Sequence, residues 1–131
     1  MRDVAKLAGM LVAGMVIGAC GISALRAQPT PAQGPRPAYL VAEVHVTEPA
    51  GFQNYLRALP ATMAPFHIKT LARGLPDARE GAAPDGQVVL LSFSSLQEAN
   101  HWYESPEYQK IIPLRQQSAT SRVYLLDGLA Q

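Results

Sequence analysis

The chain has 131 residues, with 11 Lys+Arg against 10 Asp+Glu and a formal net charge of +1. That is one domain's worth of sequence, and so even a balance supplies no long-range field for nucleic acid. A single cysteine excludes an intrachain disulfide framework, so an apolar core has to hold the fold together.

Arg2 and Lys6 precede an uncharged apolar run over residues 7–25, which Arg26, Ala27 and Gln28 follow. A basic start, an apolar middle and a small residue at Ala27 form the pattern of a secretory signal peptide. Cleavage after Ala27 is the preferred expectation, giving a periplasmic or secreted protein. Two other fates use the same residues. As a helix the run would reach about 28 Å, close to the thickness of a bilayer core, so it could remain as a membrane anchor. GMVIG at residues 14–18 carries the small-xxx-small spacing that lets membrane helices touch. IGAC at residues 17–20 resembles a bacterial lipobox, in which Cys20 would become the acylated first residue. Without Arg2, Lys6, Arg26 and Asp3 the remaining chain has one more acid than base.

Residues 28–37 carry Pro29, Pro31, Pro35 and Pro37 and read as an extended linker. Its reach is roughly 30 Å at about 3.1 Å per residue. The folded domain is expected over residues 38–129. Residues 39–46 alternate Leu40, Ala42, Val44 and Val46 with Tyr39, Val41, Glu43 and His45, which predicts a strand with one apolar and one mixed face. Thr47 and Glu48 before Pro49 mark a helix start. Phe52, Tyr55, Leu56, Leu59, Met63 and Phe66 then form one stripe at helical spacing, with a kink or break expected at Pro60.

A second strand is expected over residues 67–73, followed by a loop rich in Gly, Pro and Asp over residues 74–86. Residues 87–93, QVVLLSF, are apolar on both faces apart from Ser92, which implies a sheet covered on both sides. Ser95 and Glu98 have capping-box spacing, each able to satisfy the other's backbone N–H. Behind them Leu96, Ala99 and Tyr103 share a face, Trp102 flanks it, and His101 points to solvent. Ser105 and Pro106 open another helix, on which Tyr108, Ile111 and Ile112 share a face that Arg115 joins if the helix survives Pro113. Arg115 is expected to swing outward at a Pro113 kink. The alternative is that it pairs with an acid at a pocket edge or holds an anionic ligand. Residues 122–128 supply a last strand, with Val123 and Leu125 on one side and Tyr124 and Leu126 on the other.

The order strand, helix, strand, strand, helix pair, strand predicts an α+β, ferredoxin-like βαββαβ domain: a four-stranded antiparallel sheet with helices on one face. Val89, Leu91 and Phe93, or their neighbours, then leave the other face apolar, and a two-fold homodimer is the economical way to cover it.

The segments AYLVAEVHVTEP, LARG at residues 71–74, EG at Glu80 and Gly81, VVLLSFSS, and WYESPEYQ with Arg115 resemble the bacterial family called domain of unknown function 1330. The resemblance spans about residues 38–128 and implies a dimeric α/β barrel; it implies no activity. The chain departs from the family where a glycine pair is replaced by His67 and Ile68, where RGG reads Arg73, Gly74, Leu75, and where an acid and a proline are Ser92 and Ser94.

Glu43 and His45 lie two apart on one strand and so share a face, the minimum geometry for an acid–base pair, or else for polar contacts at a dimer seam. His45, His67 and His101 are scattered over three elements, so no metal site is expected, and neither is a cofactor, because no phosphate-binding loop, dinucleotide fingerprint or nucleophile elbow appears. Two functions of different class follow. One is an exported dimer that binds a small, partly apolar molecule or an envelope partner. The other is a cofactor-independent oxygenase- or isomerase-like enzyme acting on a small organic compound. Glu43, His45, Arg73, Trp102, Tyr108 and Arg115 are the candidate pocket residues. Arg73 or Arg115 within bonding reach of Glu43 favours chemistry; their separation favours binding.

Overall fold

Alternation builds the first element. Strand β1 (Ala38–Val46) buries Ala38, Leu40, Ala42 and Val44 and turns Tyr39, Val41 and Glu43 the other way. The computed structural model describes residue 34 and residues 36–130. The expectations about the leader, Cys20 and most of the linker lie outside the described residues.

Helix α1 (Pro49–Met63) begins without a side-chain cap. The Thr47 and Glu48 amides instead donate to the Ser118 carbonyl at 2.9 and 3.0 Å, tying the start of α1 to the end of a later helix. Pro60 produces no break: the helix runs through it, and the Ala64 amide still reaches the Pro60 carbonyl at 3.1 Å. Packing of Phe52 and Tyr55 on the inner side outweighs the one backbone bond that proline deletes.

Strand β2 (Lys69–Gly74) starts two residues later than the apolar pattern predicts. His67 is held elsewhere, with its amide donating to Glu98 Oε1 at 2.8 Å. Strand β3 (Gln87–Phe93) follows the loop, and Gly86 is required just before it. Its φ is +83°, and a Cβ there would lie 2.1 Å from the Val44 carbonyl oxygen.

Helix α2 (Leu96–Glu104) forms only half of the expected capping box. Ser95 Oγ accepts the Glu98 amide at 3.0 Å, but the Glu98 carboxylate bypasses the Ser95 amide and accepts from the Ser94 amide at 2.8 Å. Helix α3 (Pro106–Ser118) starts on Ser105, whose Oγ accepts the Tyr108 amide at 3.3 Å and donates to the Trp102 carbonyl at 2.7 Å. The helix survives Pro113, so Arg115 does not swing out: it stays on the inner stripe with Tyr108 and Ile112, at 4% exposure. Strand β4 (Ala119–Asp127) begins directly after it, earlier than the apolar run at Val123 signals, because Thr120, Ser121 and Arg122 pair with His45, Val44 and Glu43.

The strands lie in the order β2-β3-β1-β4, all neighbours antiparallel. With the element order βαββ, a helix pair and β, this is the ferredoxin-like α+β fold. Inward rows run Leu91–Leu40–Leu125 and Val89–Ala42–Val123; outward rows run Leu90–Val41–Tyr124 and Val88–Glu43–Arg122. Val89, Leu91 and Phe93 therefore face the helices, and it is their neighbours Val88 and Leu90 that face away. The core is the inward layer with Trp102 and Tyr108, whose rings stack at 4.0 Å between centroids. Each large side chain buried there contributes about 1.5–3 kcal/mol, more than a helix cap at about 1 kcal/mol, so the half-formed box costs the fold little.

Candidate functional site

Helix α1 packs closely on α3, and between α1 and the sheet lies a cavity of about 540 Å³. The sheet supplies one wall through Leu40, Ala42, Val44, Val89 and Leu91; α1 supplies the other through Phe52, Leu56, Leu59 and Met63. Ala42 matters here, since a short side chain in the middle of β1 leaves room that leucine would fill. Pro60, Ala64, Thr70 and Arg73, all exposed, mark the mouth between the end of α1 and β2.

Arg73 reaches the mouth because of a bulge. Thr70 pairs with Leu91, but Ala72 pairs with Leu90 and Arg73 with Val89, so Leu71 is an extra residue that shifts the alternation by one. Without the bulge, Arg73 would oppose Val88 and point out of the other face. Re-aiming a side chain in this way is a common use of bulges.

The closed end is polar. Tyr55 from α1 and Tyr108 from α3 place their hydroxyls 3.2 Å apart, and the Arg115 guanidinium carbon stands 6.0 Å from the Tyr55 ring centroid. Trp102 donates Nε1–H to Thr62 Oγ1 at 3.2 Å and turns its ring to the cavity. Burial pushes the Tyr55 phenol above its ordinary value, against the opposing pull of its bond to Tyr108 and of Arg115 and Arg73. Burial drives Tyr108 higher still, and the neighbouring Tyr55 adds to it. Both hydroxyls therefore remain neutral hydrogen-bonding groups.

Of the six sequence candidates, the fold brings four to this cavity: Arg73, Trp102, Tyr108 and Arg115. Glu43 and His45 lie elsewhere. The Glu43 carboxylate points out of the opposite face, where Arg122 Nε donates to it at 2.6 Å and Tyr124 Oη at 3.2 Å. His45 Nδ1 lies 3.1 Å from Asp85 Oδ1, and both residues line a shallower depression of about 240 Å³ with Glu43 and Arg122. Each member of the supposed acid–base pair thus has its own partner, and neither approaches Arg73 or Arg115. Sequence reasoning placed Tyr55 in the apolar stripe and overlooked its hydroxyl. The available signal was a phenol on the same stripe as five apolar residues, which has to find a polar partner once buried. Among the described residues no group of three or more His, Cys, Asp or Glu could hold a metal ion.

A four-stranded antiparallel sheet with helices over one face, holding a cavity with apolar walls and a buried cationic, hydroxylic end, defines a small ferredoxin-like α+β protein with an internal pocket. Within that class the chain belongs to the DUF1330 family, a domain of unknown function, whose model matches residues 37–129. No curated protein matches the chain. Among solved structures it is similar to a protein of unknown function from Rhodopseudomonas palustris, at 16% identity and a TM-score of 0.59, over 73% of this chain and 85% of that one. It is similar to a dimeric ferredoxin-like protein of unknown function from Thermobifida fusca, at 13% identity and a TM-score of 0.52, over 72% and 92% of the two chains. It is also similar to SnoaB, a cofactor-independent oxygenase from Streptomyces nogalater, at 14% identity and a TM-score of 0.50, over 75% and 97%. At these identities the likeness is one of fold.

Proposed function

We propose that the protein is an exported homodimer that binds a small, largely apolar molecule in the cavity between α1, α3 and the sheet. The observation that carries this reading is the cavity itself, about 540 Å³ and walled mainly by aliphatic and aromatic side chains. Left empty, so large a gap beside the core forfeits the packing contacts its lining would otherwise make. Water is a poor filler where the walls offer it few hydrogen-bond partners. An apolar guest resolves both difficulties, and pockets of this size and lining are typical of small-molecule sites.

The dimer is supported by the outward face, where Tyr124 is 43% and Leu126 50% exposed beside Val41, Val88 and Leu90. A second copy laid on that face would cover this apolar surface together with the Glu43–Arg122 pair. The Thermobifida fusca neighbour is itself a dimeric ferredoxin-like protein. Export rests on the leader at residues 1–27, with an anchored or Cys20-lipidated form as its variants.

Binding is favoured over catalysis by the separation of Glu43 from both arginines. Among the described residues lining the cavity there is no carboxylate, histidine or cysteine to move a proton, and two phenols with raised pKa values make poor bases. The oxygenase reading has fold likeness to SnoaB as its only support. Native mass spectrometry of the protein as its host processes it tests the proposal in one measurement. The expected species is twice the mass of a subunit cut after Ala27, with a small organic molecule bound; an unliganded monomer overturns it.

A further inference from the structure

Arg115 is the feature of the cavity that apolar binding alone leaves unexplained. It is 4% exposed, yet its Nε has no hydrogen-bond partner, and no ion pair to it or to Arg73 occurs among the described residues. A guanidinium with no carboxylate opposite it is unfavourable in an apolar interior. The Tyr55 ring, 6.0 Å from the guanidinium carbon, stands at the outer limit of a cation–π contact. A sequence selected only to fill this position would do better with methionine or leucine.

Building on the binding reading above, we propose that Arg115 anchors a carboxylate on the cavity's ligand, assisted by the Tyr55 and Tyr108 hydroxyls, so that the ligands are small apolar monocarboxylic acids. Two hydroxyls 3.2 Å apart share one proton in the bond between them, which leaves the other proton free for an outside acceptor. A planar guanidinium with a hydroxyl donor beside it suits the two oxygens of a carboxylate. The apolar walls from Leu40 to Met63 then hold the ligand's hydrocarbon part, and exposed Arg73 at the mouth favours entry of an anion. A phosphate monoester fits less well. One buried cation offsets one negative charge, and the second charge of a dianion would sit uncompensated against hydrocarbon.

The test uses calorimetric titration of the host-processed protein with 2-naphthoate, its uncharged isostere 2-naphthamide, and 2-naphthyl phosphate. The acid is expected to bind about tenfold tighter than the amide, the worth of one charge-assisted hydrogen bond, and tighter than the phosphate ester. Arg115→Met is expected to erase the preference for acid over amide, to keep the amide's affinity, and to be at least as stable as the parent in denaturant, since it removes an unpaired buried charge. Equal affinity for acid and amide overturns the anchor while leaving the cavity reading intact. So does a preference that survives in Arg115→Met, tighter binding of the phosphate ester, or a marked loss of stability in that variant, which would make Arg115 a structural support. Failure of the parent protein to bind either the acid or the amide overturns the cavity reading and the anchor together.

Discussion

Tyr55 Oη lies 3.2 Å from Tyr108 Oη, joining α1 to α3 across the buried end of the cavity. Because each hydroxyl is the other's partner, Tyr55→Phe or Tyr108→Phe leaves one unpaired phenol in a buried setting and should destabilise by about 1–2 kcal/mol. The double variant should cost less than the sum of the two, because no orphan remains. Urea unfolding of the four proteins measures the coupling; strictly additive losses would mean that the bond does not form.

Trp102 is the only tryptophan in the chain, and its ring faces the cavity. Its emission should therefore change on ligand binding, and a titration followed by fluorescence should saturate with the calorimetric stoichiometry. Thr62→Val removes the acceptor of the indole N–H and should cost about 1–2 kcal/mol while shifting the emission of the free protein. An unchanged spectrum in both experiments would place the ring away from the site.

Glu98 carries the acid-sensitive part of the fold. Burial alone would raise its pKa, but donors from Ser94 and His67 outweigh that and hold it at about 2, against an ordinary 4.5. A depressed carboxylate stabilises the native state fully above its unfolded value and loses that contribution as pH falls through the folded one. Stability should thus decline from about pH 4.5 toward pH 2. Glu98→Gln should be about 1–3 kcal/mol less stable at neutral pH and decline less over the same interval. Parallel pH curves for the two proteins would contradict this.

Leu90 sits at the centre of the outward face, between Val41 on β1 and Ala72 on β2. A carboxylate there would be buried against its counterpart in a face-to-face dimer, at a cost of several kcal/mol per charge. Leu90→Asp should turn the proposed dimer into a folded monomer, seen as half the mass by light scattering with circular dichroism retained. A parent protein already monomeric at micromolar concentration would remove the basis for the prediction.

Much of this architecture was legible in the chain, because its signals are local. Period-two alternation in β1, the Ser95 and Ser105 caps and the aromatic stripe of α1 all reflect backbone geometry over a few residues, and they suffice for element order and the ferredoxin-like fold. The two internal prolines were misleading for the same reason. A local rule predicts a kink or a break at Pro60 and a kink at Pro113, whereas neither helix ends there, and α1 and α3 continue packed against each other. The candidate site was only half legible. Arg73, Trp102, Tyr108 and Arg115 share the cavity, while Glu43 is claimed by Arg122 and Tyr124, 79 and 81 residues away.

What the sequence by itself determined was which residues alternate, where helices begin, and that one sheet face would be left apolar. Tertiary structure alone decided the rest: the extra residue at Leu71 that turns Arg73 inward, the depth at which Arg115 is trapped, and the gap beneath α1. The division has a physical cause. Periodicity and capping energies act between neighbours along the chain, whereas register, burial and cavities arise from how distant surfaces fit, and no single segment carries that information.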